Sequence, residues 1–189
     1  MAFRLEAVSS QSQALKRMAK LVTDGLSNPK TGPALIRAAR AIVSDCDARD
    51  DMCEVTAIFE AVKYGTDKIR GLENGLRYVS DPKTFDYYSS AAQTLSACVK
   101  GSCAGDCDDA TILVVTLLVA LGFEAGLRAW GPKVGVREYE HVYGVVKIPK
   151  HGPFPAKYSG HGVDTTVADS YVGWEPRKGE VLTSWIQGD

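Results

Sequence analysis

Apolar residues recur at intervals of three and four positions in three segments of the first half of the chain. The segments span residues 9–26, 35–43 and 51–64. This spacing places apolar side chains on one face of a helix. Asn28-Pro29 and Gly32-Pro33 interrupt the pattern between the first two segments, as prolines and glycines do at helix ends. The pattern therefore predicts three amphipathic helices.

The middle of the chain predicts a loop at residues 78–82, a short helix at 89–99 and an irregular stretch at 101–106. Residues 107–121 predict a longer helix that is apolar on nearly all sides, so we expect it at the centre of the fold. Gly122 is expected to end this helix. Its apolar run is too short to cross a bilayer, so no membrane span is predicted.

The spacing of apolar residues changes after Gly122. Four short segments now predict strands: 123–130, 141–148, 162–167 and 181–186. Helices followed by closely spaced strands indicate an α+β fold with a small antiparallel sheet. We expect a helical extension at residues 1–77, packed on a core formed by residues 78–189.

Length and charge narrow the functional classes. A chain of 189 residues has the size of one domain. Its formal net charge of −1 argues against a nucleic-acid-binding module, which would carry a basic stripe, and gives no reason to expect a membrane-surface partner. The first residues lack a basic start followed by an apolar segment. No secretory signal is therefore expected, and a cytoplasmic location is predicted.

The chain has five cysteines, and this odd number leaves at least one thiol unpaired. Because no export signal is expected, a reducing compartment is the preferred prediction, with the cysteines as thiols. The alternative is a local disulfide between Cys46 and Cys53, which flank a polar turn, if the protein is exported.

Cys107 is the candidate nucleophile. It stands where the irregular stretch turns into the buried helix, after Gly105 and among Asp106, Asp108 and Asp109. Free N–H groups and the positive end of the helix dipole stabilise a thiolate there, and the same N–H groups hold an oxyanion in acyl transfer. Gly105 is expected to let the chain approach a substrate closely. The three carboxylates oppose a thiolate, so a histidine is needed to activate the sulfur.

His141 is the candidate base, and Asp164 is the acid expected to orient it. His141 opens a predicted strand, whereas His151 and His161 fall in a stretch rich in glycine and proline, where solvation is expected. Asp164 lies in an apolar, β-branched segment, where a carboxylate needs a partner. An acid beside the imidazole fixes its tautomer. Asp169 is the alternative acid, in a segment typical of an exposed turn.

Three blocks of the sequence, in this order, resemble the transglutaminase-like superfamily. They are GDCDDATILVVTLLVALGFEAGLRAWG from residue 105, EHVYGVVKIP from residue 140 and GVDTTVADSYVGWEP from residue 162. The resemblance covers residues 78–176. It implies a papain-like fold in circularly rearranged order, with a catalytic triad at Cys107, His141 and Asp164.

The resemblance also implies thiolate attack on an amide, which gives a thioester. If water attacks the thioester, the protein is a hydrolase, that is, a peptidase or amidase that cleaves peptide or isopeptide bonds in a protein or peptide substrate. If an amine attacks it, the protein is a protein-glutamine acyltransferase. The superfamily includes non-catalytic members, and similar domains with helical extensions occur in bacteriophages and prophages. The second hypothesis is therefore a virion or assembly component, with virion partners and a virion location.

Calcium is an open alternative beside the nucleophile. Calcium-dependent bacterial members of the superfamily carry carboxylates next to the cysteine, so Asp106, Asp108 and Asp109 are candidate calcium ligands. Carboxylates at a helix N-terminus also complement the helix dipole without any metal, and this explanation is preferred. No cofactor is therefore predicted.

Other residue types near the predicted site give weaker signals. A zinc site is disfavoured because no CxxC pair is present. Its ligands would be Cys98, Cys103, Cys107 and His141. Trp130 and Trp174 are candidates to line a substrate groove, although packing explains aromatic residues at strand ends equally well. Gln93 is a candidate oxyanion donor.

Overall fold

The computed structural model describes residues 11–80, 87–135, 139–155 and 158–186. Within these ranges, helices come first and a sheet follows. The helices are α1 (Gln11–Ser27), α2 (Gly32–Ile42), α3 (Asp51–Lys63), α4 (Ala91–Val99) and α5 (Cys107–Ala120). The strands are β1 (Arg77–Tyr78), β2 (Ala104–Gly105), β3 (Ala125–Gly131), β4 (His141–Val146), β5 (His161–Val163) and β6 (Glu180–Ile186). The predicted α+β class with an antiparallel sheet is confirmed.

The helices follow the predicted amphipathic segments, and side chains or prolines mark their starts. α2 has a proline in its first turn, and the side chain of Asp50 caps α3 by accepting a hydrogen bond from the Cys53 N–H. α4 begins with a capping box made by Ser90 and Gln93. These caps provide partners for N–H groups that have none within the first turn. The predicted start of the first helix at residue 9 lies outside the described residues.

α5 runs through the centre of the fold. All of its residues from 109 to 119 are buried, and it packs against α1 to α4 and against the sheet. One core cluster extends from Leu15 of α1 to Ile186 of β6, so α1 to α3 share their core with the sheet. No helix in the described ranges has both the length and the apolar composition needed to span a membrane.

Four antiparallel strands form the main sheet, in the order β5-β4-β3-β6. The register of β3 against β4 sets Trp130 opposite His141 and Arg128 opposite Tyr143. Because side chains alternate between the two faces of a strand, these four residues belong to one face of the sheet. This face carries most of the polar side chains discussed below.

The other face of the sheet packs against α5. The Thr111 hydroxyl of α5 donates a hydrogen bond to the carbonyl of Val142, at 3.2 Å. Gly144 allows a close approach, since a Cβ atom at this position would lie 3.2 Å from a methyl group of Val114 and 2.8 Å from one of Val163. These contacts bring the N-terminus of α5 next to the start of β4.

Two stretches that were predicted to be irregular contain a small second sheet. β1 and β2 pair in parallel, with Arg77 opposite Ala104 and Tyr78 opposite Gly105. The prediction of a loop from residue 78 and of an irregular stretch at 101–106 was therefore wrong at these positions. Two-residue strands are too short to produce a readable period of apolar residues. Residues 81 and 82 of the predicted loop lie outside the described residues.

The predicted strand at residues 162–167 ends early. β5 stops at Val163, so Asp164 begins a turn and does not lie inside a strand. The turn forms because the Asp164 carboxylate accepts backbone hydrogen bonds from residues further along the chain. His161, which was predicted to be in a solvated loop, opens β5 and is half-buried, with its ring 6.1 Å from that of Tyr158. His151 is exposed, as expected.

Four of the five cysteines are paired, as Cys46–Cys53 and Cys98–Cys103. The preferred prediction of thiols at these positions was wrong, and the alternative pair Cys46–Cys53 is present. The chain turns back between α2 and α3, which brings the Cα atoms of Cys46 and Cys53 to 5.7 Å, within the usual range for a disulfide. Cys107 is the free cysteine, and it is half-buried.

Candidate active site

The side chain of Asp106 fixes the start of α5. It accepts hydrogen bonds from the N–H groups of Asp108 and Asp109, at 2.9 and 3.2 Å. The Asp109 carboxylate accepts a hydrogen bond from the N–H of Ser89, at 2.7 Å. Asp106 is therefore an N-cap, and Asp109 connects the first turn of α5 to the segment that precedes α4.

Gly105 is needed for this capping arrangement. A Cβ atom at position 105 would lie only 2.7 Å from the Cβ of Asp109, a distance that non-bonded side chains do not tolerate. The sequence predicted that this glycine gives room to a substrate. In the structure, the room that it leaves is occupied by the Asp109 side chain.

Cys107 is the first residue of α5, and its sulfur is in surroundings that favour the thiol. Its S–H group donates a hydrogen bond to Oδ1 of Asp108, with 3.8 Å between sulfur and oxygen. Burial raises the pKa of Cys107 to about 12, and the charges of Asp108 and Asp106 act in the same direction. The backbone N–H of Val142 contacts the sulfur and opposes these effects. The resting group is therefore a neutral thiol.

His141 and Asp164 form a close pair. Nε2 of His141 lies 2.6 Å from Oδ2 of Asp164, and the Asp164 side chain is only 1% exposed. Burial acts to raise the pKa of Asp164, but hydrogen bonds and charge from His141, together with Thr166, hold that pKa below its ordinary value. The ionised carboxylate makes Nε2 the protonated nitrogen, so Nδ1 is the nitrogen that can accept a proton.

The turn after β5 holds the carboxylate of Asp164 in place. Oδ1 accepts hydrogen bonds from the N–H and hydroxyl of Thr166, at 2.9 and 2.8 Å, and from the N–H of Val167, at 3.3 Å. Oδ2 is thereby left to His141. Asp169, the alternative acid, lies exposed in the same turn, and the acid hydrogen bonded to His141 is Asp164.

A partly buried polar network lies behind the imidazole. The ring of Tyr143 is nearly parallel to that of His141, with 6.0 Å between the centroids, and its hydroxyl donates to Glu175 at 2.5 Å. Glu175 also pairs with Arg128 at 2.5 Å. Tyr143 is fully buried, and the ring of Trp174 packs edge-on against it. These contacts restrict the side of His141 that faces the sheet.

Cys107 and His141 both line a cleft of about 320 Å³ between α1, the start of α5 and the start of β4. Met18 belongs to the α1 wall, and Tyr88 lies near the N-terminus of α5. Within the described residues, no hydrogen bond joins Cys107 to His141, and the thiol donates to Asp108 instead. Catalytic hydrogen bonds are often long or poorly aligned before substrate binds. The structure thus brings Cys107 and His141, which is paired with Asp164, to one cleft without a hydrogen bond between the sulfur and the imidazole.

Three further residues singled out from the sequence lie elsewhere. Gln93 is exposed and occupied by the capping box of α4, beside a different depression. The indole N–H of Trp130 donates to the carbonyl of Lys178, and Trp174 packs against Tyr143. Neither tryptophan is among the described residues that line the cleft.

The candidate metal ligands have other partners in the structure. Cys98 and Cys103 form a disulfide and are not available as zinc thiolates. Two of the three candidate calcium ligands, Asp106 and Asp109, accept backbone hydrogen bonds. In the parts of the chain that the structure describes, no three His, Cys, Asp or Glu side chains form a group that could hold a metal ion.

The supporting residues Lys63, Arg128 and Glu175 were missed from the sequence. Lys63 contacts the turn after Asp164, although 104 residues separate it from Val167. Such pairs are created by packing of distant elements, and no local pattern marks them. Tyr143 did carry a signal, because it lies two positions after His141 in a predicted strand and must therefore share its face of the sheet.

The comparisons with known proteins return no match for this chain. No family model matches it, and neither the curated proteins nor the solved structures contain a match.

Proposed function

We propose that the chain is a thiol hydrolase with a papain-like, transglutaminase-like core, acting on peptide or isopeptide amides. The observation that carries the proposal is the 2.6 Å pair between His141 and the buried Asp164, which opens onto the cleft that contains the Cys107 thiol at the start of α5. A polarised imidazole beside a thiol at a helix N-terminus is the arrangement that acyl transfer requires.

The proposed reaction begins with a neutral thiol. Asp164 holds the Nε2–H, and Nδ1 of His141 removes the proton from Cys107 while the sulfur attacks the amide carbon. The C–N bond then breaks, His141 returns the proton to the leaving amine, and a thioester remains on Cys107. Water deprotonated by His141 hydrolyses the thioester and releases the acid. The thiol must first leave Asp108 and turn towards His141.

The alkylation rate of Cys107 at neutral pH tests the proposal. Without help from a base, a thiol with a pKa of about 12 reacts more slowly than a free model thiol. If His141 removes the proton, the wild type reacts faster with iodoacetamide than the model thiol, and His141→Gln loses this advantage. Mass spectrometry of the carbamidomethylated peptide measures both rates. A wild-type rate below that of the model thiol, together with no amine release from peptide amides, contradicts the hydrolase.

A transferase is the second outcome of the same chemistry. When a primary amine is added during amide cleavage, a hydrolase gives the free acid as the product, whereas an acyltransferase joins the amine to the substrate. Mass spectrometry of the product separates the two. The same assay with excess chelator tests the calcium alternative, and we expect unchanged activity because backbone N–H groups already engage Asp106 and Asp109.

A non-catalytic role on the same fold is the competing proposal, and one observation favours it. The thiol is hydrogen-bonded to Asp108, and no hydrogen bond joins it to His141 in the described residues. The disulfides also favour an oxidising environment over the predicted cytoplasm, which is compatible with a virion or assembly component. Unchanged binding of virion partners by Cys107→Ala, with no amide cleavage by wild type, is the result that this role predicts.

A further inference from the structure

Lys63 connects the helical part of the chain to the turn that carries Asp164. It is the last residue of α3, and its ammonium group donates hydrogen bonds to the carbonyls of Val167 and Ser170, both at 2.8 Å. A third hydrogen bond reaches the Ser170 hydroxyl at 2.7 Å. The ammonium group also lies 5.1 Å from the ring centroid of Phe59. It therefore exchanges its water shell for protein partners.

Ser170 connects Lys63 to Asp164 through its hydroxyl group. Ser170 is buried, and its hydroxyl is hydrogen bonded to the Asp164 carbonyl. Lys63 thus binds one end of the turn, and the Ser170 hydroxyl joins that end to the backbone of Asp164. Because the ladder between β4 and β5 ends at Val163, the position of the Asp164 backbone depends on this turn.

We propose that Lys63 is a positioning residue for Asp164, and through it for the imidazole of His141. The proposal rests on the proposed function, in which Asp164 orients the imidazole of His141. Lys63 touches neither the cleft nor the sulfur in any described contact. Its effect is to keep the carboxylate within 2.6 Å of Nε2.

The test compares Lys63→Met, which keeps the length of the side chain but removes the donors, with Lys63→Arg, which restores a cation with N–H donors. Lys68→Met is the matched control, since Lys68 pairs with the exposed Asp45 and makes no contact with the turn in the described residues. Ser170→Ala is the second variant. It removes the hydroxyl between Lys63 and Asp164 and keeps the proposal testable if Lys63→Met does not fold.

Two measurements separate positioning from general stabilisation. Amide-cleavage kinetics should show kcat lowered about 10- to 100-fold in Lys63→Met, with KM little changed, because a misplaced base slows chemistry more than binding. The proton NMR spectrum should lose the low-field imidazole N–H signal in Lys63→Met, as it does in Asp164→Asn. Lys63→Arg should recover part of both, Ser170→Ala should show a smaller loss of both, and Lys68→Met should match the wild type.

The outcomes distinguish this proposal from the proposed function. A folded Lys63→Met or Ser170→Ala with wild-type kcat and an intact imidazole signal overturns the positioning role, while the hydrolase stands. If the wild type cleaves no amide but its imidazole signal disappears in Lys63→Met and returns in Lys63→Arg, the positioning role is supported and the hydrolase fails. Equal losses in Lys68→Met would show a general effect of lysine removal and would overturn the proposal.

Discussion

At the scale of single residues, the site holds one acid neutral and another ionised. Burial dominates at Cys107, and Asp108 and Asp106 add to it, so the sulfur keeps its proton. Asp164 is also buried, but His141 and Thr166 stabilise its charged form enough to outweigh the burial. This contrast fits the proposed roles, in which the proton of Cys107 goes to His141 and Asp164 stays ionised to hold the Nε2–H of the imidazole.

Cys107→Ala should remove part of the pH dependence of stability at alkaline pH. The folded pKa of about 12 lies above the ordinary value of 9.0, so the contribution of the thiol to stability is complete below pH 9 and is lost as pH rises towards 12. From pH 9 upward, the free energy of unfolding of wild type should fall more steeply than that of Cys107→Ala. Urea unfolding measured at a series of pH values gives both slopes, and equal slopes would contradict the buried thiol.

The sequence predicted part of this site because some of its residues occupy positions that local patterns mark. Cys107 follows a glycine-containing stretch at the start of an apolar helix, and His141 opens a strand. Asp164 was predicted to lie inside a strand, but that strand ends one residue before it. The part of the argument that still applies is that a buried acid needs a partner. The hydrogen bond of the thiol to Asp108 depends on a side-chain conformation that no spacing of residue types specifies.

At the scale of elements, the length of a segment decided how well it was predicted. α1, α2, α3 and α5 are long enough for the helical period to show, and those of their ends that can be compared within the described residues differ from the prediction by only a few residues. β1 and β2 have two residues each, and their pairing depends on a parallel partner that lies far away in sequence. This second sheet was therefore invisible in the pattern, although β2 directly precedes the N-cap of α5.

The disulfide Cys98–Cys103 connects the last turn of α4 to the residue before β2. We expect one reactive thiol per native chain without reductant, at Cys107, and five after reduction and unfolding. Replacing both Cys98 and Cys103 by Ala should lower the free energy of unfolding by about 2 kcal/mol, because a short loop is no longer closed in the unfolded chain. Thiol titration and urea unfolding measure the two effects. Three or more thiols in the native, unreduced chain would show that a pair is not formed.

At the scale of the whole molecule, the candidate site depends on both the helical part and the sheet. α1 forms a wall of the cleft, and α3 supplies Lys63 to the turn that carries Asp164. The core cluster passes from α1 to β6 without a break. A sequence pattern shows that a helix has an apolar face but not which element covers that face. The dependence of the candidate site on α1 and α3 could therefore not be predicted from the pattern.

Removing residues 1–76 is therefore expected to abolish folding rather than to open the cleft. Leu15, Met18 and Val22 of α1 and Leu35 of α2 are buried in the shared core, and their loss would expose the side of α5 that they cover. Each such side chain contributes about 1.5–3 kcal/mol when buried, so the four together contribute about 6–12 kcal/mol. This is comparable to the whole free energy of unfolding of a typical domain, about 5–15 kcal/mol, and the loss of α3 adds to it.

Thermal unfolding followed by circular dichroism, with binding of a dye for exposed apolar surface, measures this loss. The truncated chain should show no cooperative transition and should bind the dye, whereas Leu35→Ala in the full chain should unfold cooperatively with a loss of about 2–5 kcal/mol. If α1 to α3 were instead a regulatory cover over the cleft, the remaining chain would stay folded and Cys107 would react faster with iodoacetamide. A cooperative transition in the truncated chain, with alkylation of Cys107 as fast as in the full chain or faster, would show that the rest of the chain folds and forms the site without α1 to α3.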